Sequence, residues 1–498
     1  MKTNFLAAAA FVLLAIAATW PLVLHMSNYT VDKVDWLLIT WILNWNIFHP
    51  FNFNTNIFFP YANTLAFSDF QFPLALLSAP LVLLSKEPLV AYNFSILLGL
   101  ALTGFSVYQF VKYLTGDSKA GLLAGIIFSF CPLRFGYLAH PQLLNFWPVV
   151  YATMFLWQKR FKLFILFFVV AATTTPLFMY FLMFISLMGP ISLMRKLGLI
   201  GLAGLATVPF LWHYWEVSRT FNYVRPITDA IHNSLQFPDL LNLRPGGTKA
   251  FLGFGAAVFL TWGLWGPTTL SLRGVKIWVM MAIGSFVMAL GPALHIFTNT
   301  IHVGPIPAVP LPYSLFYYLV PGFSGMRTPS RWIILAAFAG TIAAAIGLKS
   351  KITNRILVLL VILVLLEVPW GTKFYEVPTA RDFPPEQIWL KNNYSGAPIV
   401  YFPIFGWWDR ESREPLREYF STISWRPMFN GFSGFSPKEW ENSVLRLQKE
   451  FPSPGSISFL KEKGVKLVII DRGHPGDQGY PGLRYVTGFE KAVIYEIL

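Results

Sequence analysis

Nine carboxylates occur in the first 370 residues, and three of them, Asp32, Asp35 and Asp69, fall in the stretch just after the first hydrophobic run. A carboxylate in or beside an apolar phase is costly unless it is paired or used, so its scarcity here narrows the search for chemistry. Asp35 opens the segment Asp35–Phe48, and a carboxylate there can act as general base on an acceptor hydroxyl. Asp69, in Phe67-Ser68-Asp69-Phe70, returns to the same surface. The competing reading of Asp32, Asp35 and Asp69 is ordinary interfacial or helix-capping carboxylates. Arg327 and Arg331 stand four apart in Gly325-Met326-Arg327-Thr328-Pro329-Ser330-Arg331-Trp332, and on a helix they would share a face. Two forked guanidiniums suit a phosphate, although long basic side chains also snorkel to headgroups. Arg134 and His140 fall in a very short outer turn between the third and fourth expected spans. There a histidine can bind phosphate, orient a sugar or ligate a metal, or can simply be satisfied structurally.

The elements that carry these residues are apolar. The 498 residues are 55% hydrophobic and 12% charged, against roughly 25% charged in soluble domains. Spans are expected over 5–25, 89–111, 120–138, 142–158, 162–175, 177–194, 197–215, 250–270, 277–296, 330–348 and 354–370. The break at Thr173-Thr174-Thr175-Pro176 makes 162–175 one arm of a tight hairpin. With the N-terminus inside, the basic residues fall on inner loops: Lys112 and Lys119; Lys159, Arg160 and Lys162; Arg195 and Lys196; Arg273 and Lys276; Lys349, Lys351 and Arg355. The outer loops are then 26–88, 139–141, 216–249 and 297–329. That assignment requires Phe72–Leu84, with Pro73 and Pro80, not to span, and it makes the tryptophan-bearing segment 36–48 a helix lying in the interface. Lys2 and the following apolar run, with Ala15-Ile16-Ala17, also fit a signal peptide. Either reading puts residue 30 outside.

Residues 1–370 hold 22 Lys+Arg against 9 Asp+Glu, whereas 371–498 hold 16 against 15. The tail reads as a soluble, extracytoplasmic α/β domain with strands at Pro398–Phe402 and Val465–Asp471, helices at Pro437–Glu450 and Gly455–Lys463, and Gly464 as a helix stop. Its tryptophans, Trp407, Trp408, Trp425 and Trp440, suit either sugar stacking or core packing. The basic excess belongs to topology rather than to nucleic acid. The single cysteine, Cys131, excludes an internal disulfide. The sequence contains no P-loop, His-Glu-x-x-His, Gly-x-Ser-x-Gly or Cys-x-x-Cys signature, which argues against ATP-driven transport within the chain. Ionisable residues cluster at one face rather than in the span interiors, which argues against a transporter or flippase.

Several segments together resemble the GT-C superfamily of multi-span membrane glycosyltransferases, especially its RgtA/B/C/D-like group. They are Val34-Asp35-Trp36-Leu37-Leu38 with Trp41 and Trp45, Asn56-Ile57-Phe58-Phe59-Pro60, Thr64-Leu65-Ala66-Phe67-Ser68-Asp69, the Arg134…His140 turn, Arg327-Thr328-Pro329-Ser330-Arg331, Trp425-Arg426-Pro427 and Asn430-Gly431-Phe432-Ser433-Gly434. The resemblance implies an all-α GT-C-like domain of about eleven spans over 1–370, with the first outer loop at 26–88 and the α/β domain at 371–498. It further implies transfer of a sugar from a polyprenyl-phosphate donor to a glycan, lipid or protein acceptor at the outer face of a cell (inner) membrane. Asp35 takes the place of the family's catalytic Asp in that loop. Asp69 becomes a second acidic site for acceptor or divalent cation. Asp32, Arg134, His140, Arg327 and Arg331 become substrate-binding residues. An acid often follows the family's first-loop Asp directly; here Trp36 follows Asp35, and the nearest acid is Asp32. A non-catalytic lipid-glycan binding or assembly protein is the alternative.

Overall fold

The structure, a computed structural model, describes residues 2–243, 249–265, 273–296, 299–301, 308–409 and 412–498. The end of the span expected over 250–270 and parts of the outer loops expected at 216–249 and 297–329 lie outside these residues. The chain forms two compact units. The first comprises residues 1–24, 94–209 and 223–373, and the second comprises 25–93, 210–222 and 374–498. Residues 26–88, expected as the first outer loop, thus fold in the same unit as the tail.

The apolar helices are α1 (Lys2–Ala18), α2 (Asp35–Phe48), α3 (Phe72–Ser85), α4 (Leu89–Thr115), α5 (Ser118–Phe130), α6 (Trp147–Trp157), α7 (Phe161–Thr174), α8 (Pro176–Met188), α9 (Leu193–Thr220), α10 (Phe254–Leu264), α11 (Arg273–Ala289), α12 (Trp332–Gly347) and α13 (Asn354–Leu366). Among the described residues four helical stretches are long and apolar enough to cross a membrane: Leu89–Thr115, Ser118–Phe135, Leu193–Thr220 and Pro329–Gly347. Each of the remaining expected spans contains a shorter apolar helix. The break foreseen at Pro176 is present. Thr175 is extended (φ −155°, ψ 136°), and α8 starts on the proline, whose missing N–H costs nothing at a first helical position.

Within the first unit, Phe110, Phe128, Phe146, Trp278 and Phe338 build an aromatic core, with Trp278 edge-on to Phe338 at 5.8 Å. The Asp117 carboxylate starts α5 by accepting the amides of Lys119 (2.8 Å) and Ala120 (3.3 Å), which satisfies donors a helix start leaves open. Glu367, just past α13, does the same at a distance in sequence. It accepts the amides of Phe254 and Gly255, the latter at 3.0 Å, at the start of α10. Gly253 precedes them with φ +93°, and a Cβ there would lie 2.5 Å from the Glu367 carboxylate.

In the second unit, β1 (Ile399–Phe402), α14 (Pro385–Asn392), α15 (Glu414–Ser421), α16 (Lys438–Glu450), α17 (Pro454–Glu462), β2 (Leu467–Asp471), β3 (Leu483–Gly488) and β4 (Ala492–Ile497) form the tail. The sheet order is β1-β2-β4-β3, with β1 and β2 parallel and the other pairs antiparallel. Both parallel strands are buried along nearly their whole length, which is why they read as unbroken apolar runs. Trp440, Val444 and Leu447 give α16 its buried stripe. Gly464 stops the chain after α17 with φ +84°.

The tryptophan-bearing segment is a helix as expected, but it does not present its rings at an interface. Trp36, Trp41 and Trp45 are buried in protein, because α2 shares its core with the tail sheet. Trp36 meets Tyr419 edge-on at 4.9 Å, and Phe58 meets Trp440 at 4.8 Å. α3 has 14 residues, about 21 Å at 1.5 Å per residue, and Leu76, Leu77, Leu81, Leu83 and Leu84 are exposed on it.

Candidate functional site

The acidic stretch belongs to the second unit. Tyr29 and Thr30 pair with Glu376 and Tyr375, and the Asn93 amide donates to the carbonyls of Met26 (2.9 Å) and Tyr29 (2.7 Å). These bonds fix the chain just before Asp32. The Asp32 carboxylate then accepts the backbone amides of Val34 (3.0 Å) and Asp35 (2.6 Å) through the same oxygen, Oδ2. Asp35 is the first residue of α2 and is exposed, whereas Trp36 and Leu37 after it are buried. Its carboxylate therefore stands at the solvent-facing start of an otherwise buried helix, on a backbone held by Asp32.

Asp69 is placed elsewhere. It is half-buried and follows the short helical turn Thr64–Phe67. The Tyr214 hydroxyl donates to the Ser68 carbonyl (2.8 Å), and Asn46 donates to the Phe70 carbonyl (2.7 Å). Asn46 lies eleven residues beyond Asp35 on α2, about 16 Å along the helix axis. Asp35 and the Asp69 segment therefore sit at opposite ends of α2 and do not form a carboxylate pair. Among the described residues no three His, Cys, Asp or Glu side chains gather as a metal site.

The basic candidates belong to the first unit. Arg134 is completely buried. Its guanidinium donates to the carbonyls of Leu143 (3.1 Å) and Leu144 (2.6 Å) and lies 5.2 Å from the Phe128 ring. It closes the Pro132–Leu144 turn on itself. His140 is half-buried at the start of the four-residue helix Pro141–Leu144; its amide donates to the Tyr137 carbonyl (2.9 Å), and its side chain makes no capping bond.

Arg327 and Arg331 do not share a helical face. Thr328 precedes Pro329 and is held out of the helical region (φ −123°, ψ 77°), so Arg327 lies before the turn that carries Arg331 into α12. The two still act on each other, with a third guanidinium, Arg225, beside them. Removal from water pulls Arg327 below its ordinary value; Arg225 and then Arg331 act the same way, while Tyr223 and Asp229 oppose. The Arg225 guanidinium lies 5.4 Å from the Tyr223 ring and 4.0 Å from Asp229. Tyr313 holds the preceding loop by donating to the Met326 carbonyl (2.9 Å). Three arginines with one nearby carboxylate make a net cationic patch able to bind a phosphate. Sequence reasoning passed over Arg225; the only signal was a basic residue on an expected outer loop.

No family model and no curated protein matches the chain. Solved structures do. A cryo-EM structure of the arabinofuranosyltransferase AftD from mycobacteria matches 100% of this chain at a TM-score of 0.60 and 15% identity. Two classes of a mutant of that enzyme match at TM-scores of 0.59 and 0.54, with 14% and 16% identity, over 99% and 100% of the chain. The chain spans 40% to 41% of the length of these structures. Matched along essentially its whole length at 14% to 16% identity, the chain shares the fold of these AftD structures.

Proposed function

We propose that the protein is a membrane glycosyltransferase that moves a sugar from a polyprenyl-phosphate donor to a glycan, lipid or protein acceptor at the outer face of the cell (inner) membrane. The observation that carries this reading is Asp35: an exposed carboxylate on a capped helix start, in a chain with a transferase fold. In the reaction the acceptor hydroxyl oxygen bonds to the anomeric carbon, the carbon–oxygen bond to phosphate breaks, the hydroxyl proton passes to Asp35, and polyprenyl phosphate leaves. Within the first unit, Arg327 and Arg331, joined by Arg225, form a patch suited to a donor phosphate. Asp32 positions Asp35 through its amide and replaces the substrate contact expected from sequence. Asp69 takes an acceptor hydroxyl at a separate subsite. His140 serves as a polar contact for substrate, and Arg134 shapes the turn that carries it. The topology that fits is eleven spans, N-terminus cytoplasmic, with the sheet-bearing tail extracytoplasmic. The neighbours' activity puts polyprenyl-phosphate arabinofuranose first among donors to try.

The test is donor cleavage. Purified wild-type protein and Asp35→Asn are incubated with a panel of polyprenyl-phosphate sugars and acceptors, and released polyprenyl phosphate is followed. Release by wild type and not by Asp35→Asn supports the proposal. Equal release by both removes Asp35 as the base, and lipid binding without release by either favours a non-catalytic assembly protein.

A further inference from the structure

The tail carries a crevice that the transfer chemistry does not use. It has a volume of about 510 Å³, within the ~300–1,000 Å³ of typical small-molecule sites. It opens where the parallel strands β1 and β2 end, since Phe402 and Pro403 line it from one and His474, three residues past β2, from the other. Crevices at the carboxyl ends of parallel strands are where open α/β sheets bind ligands.

Its lining mixes apolar faces with polar groups that are already held. Phe402, Ile404, Phe405 and Leu447 supply the apolar walls. Asp409 accepts the Gly406 amide (2.7 Å) and the Gln448 side-chain amide (2.8 Å), and Gln448 also donates to the Ile404 carbonyl (3.0 Å). Both of these donations come from the Gln448 nitrogen, which leaves its carbonyl oxygen to accept. His474 stands over Phe402 and Phe451, and its Nδ1 accepts the Gly476 amide (3.3 Å). Burial lowers the imidazole below its ordinary value, against the pull of Asp471 and Asp477. Between the lining residues Phe405 and Asp409 in sequence, Trp407 is 62% exposed, yet its indole N–H is fixed to Glu441 (2.9 Å), and that carboxylate also accepts the Ser436 hydroxyl (2.6 Å). A large flat ring is thus held in water in one orientation.

The nearby charges choose among ligands. The Asp471 carboxylate is neutralised by Arg413 (3.2 Å) and Arg417 (3.3 Å), whereas among the described residues Asp409 is bonded to the Gly406 amide and the Gln448 side-chain amide and to no cation. An anion would meet that uncompensated carboxylate. A neutral polyol would donate hydroxyls to Asp409 and Gln448 and lay its C–H face on an aromatic ring. We infer that this crevice, with Trp407 as its platform, binds a neutral oligosaccharide. The inference rests on the transferase reading only where it makes that glycan the acceptor.

Binding is measured by isothermal titration on the full-length purified protein. The probes are neutral di- to tetrasaccharides of glucose, mannose, galactose and arabinose, with oligouronates and short peptides of similar size alongside. The expected result is saturable binding of at least one neutral oligosaccharide, at least tenfold weaker in Trp407→Ala and in Asp409→Ala, with no uronate binding. Binding unchanged in both variants, preference for uronates or peptides, or no binding by wild type overturns the inference. Because Trp407 is exposed, its replacement leaves the core intact, and a matched unfolding temperature checks this. Donor cleavage is followed in parallel. Cleavage without glycan binding sinks this inference alone, and glycan binding without cleavage sinks the transferase reading alone.

Discussion

Asp32 and Asp35 are three residues apart, and the structure gives them different work. Asp32 reaches chemistry only through the amides of Val34 and Asp35. Replacing it with alanine removes the acceptor of two backbone amides at the start of α2, worth about 1 kcal/mol. If that frees the first turn of α2, the equilibrium constant for holding Asp35 in place drops about fivefold, and transfer falls by up to that factor, since 1.4 kcal/mol is a factor of ten. Asparagine caps helices about as well as aspartate, so Asp32→Asn should keep transfer within about twofold of wild type. Asp35→Asn removes the base itself and should lower kcat by roughly 10²–10⁴. The assay is initial rate of polyprenyl phosphate release under saturating donor and acceptor, with protein amounts matched. The order expected is wild type, Asp32→Asn, Asp32→Ala, then Asp35→Asn far below. A loss in Asp32→Asn equal to that in Asp35→Asn would refute the positioning argument and return Asp32 to direct contact with substrate.

Other outcomes follow from the same structure. Arg327→Ala and Arg331→Ala should each raise the donor KM about tenfold or more while leaving acceptor KM nearly unchanged, and Arg225→Ala should do the same more weakly, being tied to Asp229; equal effects on both substrates would count against a phosphate role. Arg134→Met should lower unfolding free energy in mixed micelles by about 2 kcal/mol, because the Leu143 carbonyl loses its buried donor; unchanged stability would show that the turn closes without it. Glu418 is fully buried with one oxygen on the Phe432 amide, and burial raises it well above the ordinary value near 4.5, Glu414 adding to the effect. A carboxyl raised on folding stabilises fully below its unfolded value, and that contribution is lost as pH climbs toward the folded one. The tail's melting temperature should therefore fall as pH rises above about 4.5, and Glu418→Gln should flatten that dependence; parallel curves for both proteins would remove Glu418 as the cause.

Hydrophobic run length and charge placement made the helices, and the proline that splits α7 from α8, readable in the chain. So were both parallel strands, whose continuous apolar runs need no partner to be recognised. The hairpin of β3 and β4 was not, because β3 is half exposed and carries an irregular register between Tyr485 and Thr487. Less legible still was the reach of the tail core. Met428 donates to the Asn56 carbonyl (2.6 Å), Phe58 to that of Asn430 (3.0 Å), and a Cβ on Gly431 would strike the Phe58 ring. Two of the segments that carried the family resemblance are thus partners in folding, a long-range pairing that local pattern does not encode. Tryptophans are common both at membrane surfaces and in cores, so composition alone could not tell that α2 was buried. For the candidate site, residue type found the scarce acids and paired arginines. Geometry then separated Asp69 from Asp35, turned Arg134 inward and added Arg225.

The carboxylate of Glu367, clasped by two amides across more than a hundred residues of chain, binds the histories of two distant positions together. A methyl group on Gly253 would press on the acid and force its clasp on the two amides to shift, and φ +93° already disfavours any side chain there. Shortening the acid to aspartate would leave a glycine whose unusual conformation no longer serves anything. The two positions are thus coupled, and a change at either one is felt at the other.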